Sequence, residues 1–143
     1  MAPNLNTVAP RSSSWPVRVY YEDTDAAGIV YYANYLRFCE RARTERLRAL
    51  GIDQRDLRTR HDLVFVVSRV EADYLRPAEL DDELQVISTV QSIGAASLLF
   101  DQQVMRGEDC LFHARVTIAC IDWNRRRPAR IPEFLRTLFE SEA

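Results

Sequence analysis

The sequence predicts a single α+β domain, in which one long helix lies against a five-stranded, mainly antiparallel sheet. A chain of 143 residues, 47% of them hydrophobic, has the size and composition of one globular domain. One helical pattern occurs early, and the later segments are rich in β-branched and aromatic residues. Because the gaps between those segments are too short for crossover helices, neighbouring strands should run antiparallel.

The first part of the chain predicts a loose tail followed by a strand. Residues 1–14 contain two prolines and a run of three serines, which are typical of a flexible N-terminal tail. We therefore expect the folded domain to span residues 15–143, with a short first strand at 17–21. Residues 22–28 read as a loop, because Asp, Thr and Gly favour turns over continued strand pairing.

The helix is predicted over residues 32–50, where apolar residues recur at spacings of three and four and Gly51 is a suitable end. A polar, charge-rich stretch to His61 follows it. Turn residues then separate four strand-like segments, and a short closing helix begins near a proline. These five segments are predicted at residues 63–75, 83–93, 97–106, 110–123 and 132–140.

The composition excludes several classes of protein. A formal net charge of -2 argues against a general electrostatic grip on nucleic acid. None of the three cysteines belongs to a Cys-x-x-Cys pair, so we expect neither a disulfide framework nor a metal site. Residues 1–15 lack the apolar core of a signal peptide, and no stretch approaches membrane-spanning length. We therefore expect a cytoplasmic protein without membrane insertion.

The segment most informative about chemistry is residues 19–35, where Asp23 and Asp25 lie on a loop that leads through Gly28 into the start of the helix. Backbone N–H groups at a helix start favour negative charge, including the charge that develops on a carbonyl oxygen during attack. A calcium loop is a poor alternative, because Ala27 and Asn34 stand where that loop needs oxygen ligands and a glutamate. Spacing alone leaves open whether the two aspartates are catalytic or only turn residues.

Five segments of the chain form a further pattern. They are residues 21–28 (YEDTDAAG), 34–36 (NYL), 40–45 (ERARTE), 73–78 (DYLRPA) and 127–132 (RPARIP). Together they resemble the 4-hydroxybenzoyl-CoA thioesterase family of hotdog-fold proteins. The resemblance extends from about residue 17 to 132, and within the family the sequence is most similar to the acyl-CoA thioesterases associated with the Tol-Pal system.

The resemblance implies a hotdog fold, with a long central helix wrapped by the sheet, and an active site built on Asp25. It implies that Asp25 carries catalysis and that the backbone N–H of Tyr32 polarises the thioester carbonyl. Many Tol-Pal-associated members carry His where this chain has Tyr32, so no side-chain role is transferred to that position. A hotdog hydratase is disfavoured, because residues 28–30 lack the histidine that pairs with its aspartate.

The same resemblance implies where coenzyme A binds. Arg125 and Arg127 belong to a cluster of arginines, whose guanidinium groups suit phosphate geometry, although a solvated turn would also explain them. Coenzyme A is part of the substrate, so we expect no cofactor. Hotdog subunits typically pair and build the site from both chains, which predicts a homodimer or homotetramer.

We therefore expect an acyl-CoA thioesterase in which Asp25 acts as nucleophile or general base. The alternative is a non-catalytic acyl-CoA-binding or scaffold module linked to lipid metabolism or the cell envelope. Acyl carrier protein or lipid-synthesis enzymes are further expected partners. Asp23 is interpreted as an organiser of the loop, and Glu40 and Glu45 as surface partners of neighbouring arginines.

Overall fold

The computed structural model describes residues 12–140 of the chain, and it contains a six-stranded antiparallel sheet and three helices. A short 3-10 turn at Tyr21–Asp23 precedes the first helix. The elements are, in chain order, β1 (Ser12–Arg18), α1 (Asn34–Ala49), α2 (Gln54–His61), β2 (Leu63–Tyr74), β3 (Glu83–Ile93), β4 (Ser97–Arg106), β5 (Asp109–Asp122), β6 (Arg127–Pro128) and α3 (Glu133–Glu140).

The sheet has the strand order β1-β3-β4-β5-β2, and the two-residue β6 pairs with the end of β5. Helix α1 packs against β1, β3 and β4. It buries Phe38, Cys39 and Ala42 in a core to which β4 and β5 contribute Phe100 and Phe112. The predicted α+β class and the antiparallel sheet around one long helix are confirmed.

The first strand begins earlier than predicted, because Ser12–Arg18 pairs along its whole length with β3. Two hydroxyl contacts explain why a serine run can be a strand here. The Oγ of Ser12 bonds Thr89 at 2.5 Å, and the Oγ of Ser14 donates to Gln85 at 2.5 Å. The placement of residues 12–14 in the tail was therefore wrong, whereas residues 1–11 of the predicted tail lie outside the described residues.

Helix α2 occupies the polar, charge-rich stretch up to His61, for which the sequence predicted no helix or strand. Its N-cap Asp53 accepts hydrogen bonds from the N–H groups of Arg55 and Asp56, at 2.9 and 3.2 Å. Leu57 is the buried residue of this helix. A short helix with one buried side chain has no apolar periodicity, so the pattern that identifies α1 does not appear in α2.

Helix α1 begins two residues later than predicted, because Tyr32 and Ala33 form a turn before it. The side-chain amide of Asn34 donates to the Asp23 carbonyl at 2.9 Å, which ties the first helical residue to the preceding loop. After the helix, Gly51 has a φ of 85°, a left-handed conformation that Gly adopts without strain. None of the helices within residues 12–140 is long and apolar enough to cross a membrane.

Candidate active site

The loop between β1 and α1 forms a closed turn at Asp25. The Asp25 N–H donates to the Ile29 carbonyl, and the Gly28 N–H donates to the Asp25 carbonyl, both at 2.9 Å. Gly28 has a φ of 82°, which a residue with a side chain would adopt only with strain. The turn therefore presents Asp25 at its surface with a fixed backbone.

The Asp25 carboxylate is exposed, and the loop donates a hydrogen bond to only one of its two oxygens. Its Oδ1 accepts a hydrogen bond from the Ala27 N–H at 2.9 Å. Its Oδ2 has no hydrogen-bond partner among residues 12–140. One oxygen thus orients the carboxylate, and the other is available to a ligand.

Asp23 is used by the protein itself. Its Oδ2 accepts from the Tyr20 N–H at 2.8 Å, and its carbonyl accepts from the Tyr31 N–H and from the Asn34 side chain, each at 2.9 Å. These bonds connect the end of β1, the loop and the start of α1, in agreement with the interpretation of Asp23 as an organiser.

Tyr32 lies two residues before α1 and offers a backbone donor that the described part of the chain does not use. Its carbonyl accepts a hydrogen bond of 2.8 Å from the Tyr74 hydroxyl, and the two rings meet edge to face at 6.3 Å. Its N–H has no hydrogen-bond partner within residues 12–140. Because the N–H dipoles of α1 point toward this end of the helix, an anion here is stabilised.

Asp25 and Tyr32 line the same open cleft, which has a volume of about 430 Å³. The sequence-predicted pair is therefore brought together in one cleft. The cleft is lined mainly by aromatic and apolar side chains, namely Ile29, Val30, Tyr31, Tyr35, Tyr74, Leu75, Arg76 and Pro77, beside Asp25 and Tyr32.

Two tyrosines form the inner wall of this cleft. Tyr35 is buried, stacks on Phe112 at 5.0 Å, and accepts a hydrogen bond of 3.0 Å from the Ala78 N–H. Burial raises the pKa of Tyr35 and that of Tyr74 above the ordinary tyrosine value. Both hydroxyls therefore stay protonated at neutral pH, and Tyr74 remains a donor to Tyr32.

A second loop, residues 77–82, supports the turn at Asp25. The Val30 N–H donates to the Ala78 carbonyl at 2.9 Å, and Ile29 pairs with Glu79 as an isolated bridge. Arg106 holds the second loop by donating to the Asp82 carboxylate at 2.8 Å. Burial acts to raise the pKa of Asp82, but the Glu79 N–H and the Arg106 guanidinium outweigh it and lower that pKa below its ordinary value.

Arg125 and Arg127 lie far from this cleft within one chain. The Arg125 N–H donates to Asp122 at 2.9 Å, and Arg127 pairs with Asp122, the last residue of β5. The cleft lies instead at the other end of the paired strands β2 and β5, where Tyr74 pairs with Phe112. Ten residues of strand separate Phe112 from Asp122, a distance of about 33 Å.

The other residues considered from the sequence lie outside the cleft. Glu40 accepts from Thr44 at 2.6 Å and Glu45 from Arg48 at 2.6 Å, both along the surface of α1. His113 contacts Asp101 at 2.8 Å on the sheet, and the His61 ring lies 5.2 Å from that of Phe134.

Sequence reasoning did not identify Tyr74 as part of the site. It lies in the segment 73–78 that supports the resemblance, but 42 residues separate it from Tyr32, the residue it holds. No local pattern connects two residues at that separation.

Comparisons with known proteins show which family the chain resembles. The Thioesterase-like superfamily matches residues 19–139 of the chain. Acyl-CoA thioesterase YbgC of Haemophilus influenzae is 46% identical over 126 residues, covering 88% of this chain and 93% of that protein. Acyl-CoA thioester hydrolase YbgC of Escherichia coli O6:H1 is 41% identical over 127 residues, covering 88% of this chain and 94% of that protein. The crystal structure of a probable thioesterase from Bartonella henselae has a TM-score of 0.80 at 35% identity, with coverage of 85% and 99%.

The chain belongs to the Thioesterase-like superfamily. The hotdog fold and the enzyme class predicted from the resemblance, that of the thioesterases, are thereby confirmed. The individual roles of Asp25, Tyr32, Arg125 and Arg127 stay predictions.

Proposed function

We propose that this protein hydrolyses the thioester of an acyl-CoA to a free acid and coenzyme A at the Asp25 cleft. The observation that carries the proposal is the meeting, in one cleft, of a carboxylate with an open Oδ2 and an unused backbone N–H at Tyr32. The names of the Haemophilus and Escherichia relatives, both acyl-CoA thioester hydrolases, support the substrate class.

The proposed role of Tyr32 is to stabilise the anionic oxygen of the tetrahedral intermediate. A thioester carbonyl is already reactive, because sulfur donates poorly into it and a thiolate leaves readily. A backbone donor aimed at the developing charge typically contributes about 10²–10³-fold in turnover. The nearby start of α1 adds a favourable dipole.

Asp25 has two routes that use this geometry. As a nucleophile, its Oδ2 attacks the carbonyl carbon and the carbon–sulfur bond breaks. Coenzyme A leaves as the thiolate, and water then hydrolyses the mixed anhydride and restores the carboxylate. As a general base, Asp25 removes a proton from the water that attacks the thioester directly. Neither route calls for a cofactor, because coenzyme A enters as part of the substrate.

We propose that Arg125 and Arg127 bind the phosphates of coenzyme A that is held by a second subunit. Strand β2 is at one end of the strand order, so one of its edges is unpaired within residues 12–140. Its exposed side chains include Val66, which suits burial against a partner better than contact with water.

Antiparallel pairing of two β2 strands about a two-fold axis would place the start of one strand beside the end of the other. The end of β2 carries Tyr74 at the cleft, and its start, Leu63, pairs with Asp122 beside the arginine turn. The arginine turn of one subunit would then approach the cleft of its partner. A homodimer of this kind, or a homotetramer built from two such dimers, would bring the predicted coenzyme A ligands close to the predicted catalytic carboxylate, although the two lie far apart within one chain.

The decisive experiment is a thiol-release assay over short, long and aromatic acyl-CoAs with wild type and Asp25→Asn. We expect turnover to fall at least about 10³-fold in the variant, because both routes need the carboxylate. Asp73→Asn is the matched control, since Asp73 is an exposed carboxylate next to Tyr74 that does not line the cleft. Wild-type protein that binds acyl-CoA tightly but releases no thiol would instead support the non-catalytic binding or scaffold module.

The resemblance also supports a cellular setting for this activity. We propose a cytoplasmic enzyme associated with the Tol-Pal system, with acyl carrier protein or lipid-synthesis enzymes as partners. Affinity purification of wild type and Asp25→Asn from cells would test these partners separately from catalysis, and recovery of none of them would contradict this assignment.

A further inference from the structure

A groove runs between α1 and β2, beside the cleft. We call it the α1–β2 groove. It has a volume of about 300 Å³. Apolar side chains line most of it, and charged side chains of α1 line its inner part. The lining residues are Leu36, Arg37, Glu40, Arg43, Val67, Val70 and Val116.

The groove follows the cleft along the same two elements, although the two have no lining residue in common. Along β2, Tyr74 of the cleft and Val70 of the groove lie on the same face, opposite Phe112 and Val116 of β5. On α1, Leu36 of the groove directly follows Tyr35 of the cleft. An acyl chain whose thioester lies at Asp25 therefore has an apolar path along the helix.

Glu40 and Arg43 lie at the inner end of that path. Together with Val67 they also line a smaller cavity of about 130 Å³ further in, whose walls include Phe65 and Phe100. The two charged side chains thus stand where the groove meets the deeper apolar space. Glu40 is exposed and bonded to Thr44, whereas Arg43 is partly buried.

Arg43 is fixed in place by a buried polar network. Its guanidinium donates to the Oε1 of Gln102 at 2.8 Å. Gln102 is 0% exposed, and its Nε2 donates to the Cys39 carbonyl at 3.0 Å and to Ser88 at 2.8 Å. Because every polar atom of the Gln102 amide is engaged, the amide cannot rotate without losing bonds, and it holds Arg43 at the groove.

Building on the proposed thioesterase function, we propose that the α1–β2 groove receives the acyl chain and that Glu40 and Arg43 set its maximum length. A chain that ends before the two residues is buried among valines and Leu36. A longer apolar chain must displace water from two charged groups and offers them no hydrogen bond in return. The enzyme should therefore prefer acyl groups that end at or before this pair.

The test is a chain-length series of saturated acyl-CoAs, from acetyl to palmitoyl, with kcat/KM measured by thiol release for each. Glu40→Leu and Arg43→Met remove one charge each and extend the apolar path. We expect the ratio of long-chain to short-chain kcat/KM to rise by about tenfold in each variant. Arg41→Met is the matched control, because Arg41 is exposed on α1 and does not line the groove, and its ratio should stay that of wild type.

Glu40→Leu is the more secure variant, since Arg43→Met also leaves a buried Gln102 oxygen without its donor. A Glu40→Leu enzyme that hydrolyses short chains with an unchanged long-to-short ratio would overturn the length limit alone. A wild-type protein that releases no thiol from any chain would instead overturn the thioesterase activity, and the length limit with it.

Discussion

The contact between the Tyr74 hydroxyl and the Tyr32 carbonyl is the single-residue feature on which the proposed oxyanion site depends most directly. It anchors Tyr32, whose N–H has no hydrogen-bond partner within residues 12–140, from a strand on the other side of the cleft. Tyr74 does not need to touch the substrate in order to matter, because it positions the donor. Its effect should therefore appear in turnover more than in binding.

Tyr74→Phe keeps the ring and removes only the hydroxyl. We expect kcat to fall by about 5–10-fold, the equivalent of one neutral hydrogen bond, with KM nearly unchanged. Steady-state kinetics on one good acyl-CoA measure this split. Tyr21→Phe provides the matched control, because Tyr21 is 83% exposed and lies outside the cleft. An equal loss of kcat in both variants would contradict a positioning role for Tyr74.

At this scale the sequence identified Asp25 and Tyr32 through resemblance, and the structure brings the two into one cleft. It did not identify Tyr74, because a contact across 42 residues leaves no trace in local spacing. Nor could it reveal that Arg125 and Arg127 lie at the far end of the β5 ladder, since that distance depends on strand pairing.

Among the elements, the loop of residues 77–82 supports the turn at Asp25. The turn pairs with it through Ile29 and Val30, and Arg106 fixes it through Asp82 and the Pro77 carbonyl. The acid–base behaviour of Asp82 therefore affects the order of the turn as well as the stability of the fold.

Asp82→Asn should lower the free energy of unfolding at neutral pH by about 0.5–1 kcal/mol, as expected for a largely solvated ion pair. The folded pKa of Asp82 is lowered from 3.8. The charged form therefore contributes stability above that value, and the contribution is lost as the pH falls through the lowered folded pKa. Thermal unfolding of wild type and variant should differ at pH 7 and converge once the pH has fallen below the lowered folded pKa. A difference that persists unchanged at low pH would contradict this origin.

The elements that sequence reasoning predicted best are those whose side chains alternate between core and surface. Strands β3 and β4 have the predicted bounds, and their burial patterns alternate along most of their length. Helix α2 and the serine-rich start of β1 were missed for opposite reasons. The helix buries almost nothing, and the strand begins with residues whose hydroxyls find partners only once β3 lies beside them.

The molecule as a whole leaves the predicted coenzyme A ligands and the predicted catalytic carboxylate near opposite ends of the β2–β5 ladder in one chain. Pairing through β2 would bring the arginine turn of each subunit to the cleft of the other. An active site shared in this way has a property that a site within one chain lacks, because two defective chains can repair each other.

Mixing Asp25→Asn with the double variant Arg125→Ala and Arg127→Ala should restore activity. After subunit exchange, half of the dimers are mixed, and each mixed dimer has one complete site, so recovery should approach about one quarter of wild-type activity. Thiol release from the mixture, compared with each variant alone, measures it. No recovery, with mixed dimers demonstrated by native mass spectrometry, would contradict a site that combines Asp25 of one subunit with the arginines of the other.

The strand order also has a consequence for how the chain is made. The hydrogen-bonding partner of β2 is β5, which the ribosome produces only after β3 and β4. The valine-rich β2 is therefore synthesised well before either of its edges can be paired, and the meander of β3, β4 and β5, whose contacts are local, can fold first. During translation this strand is the part of the chain most exposed to association with a neighbouring nascent chain.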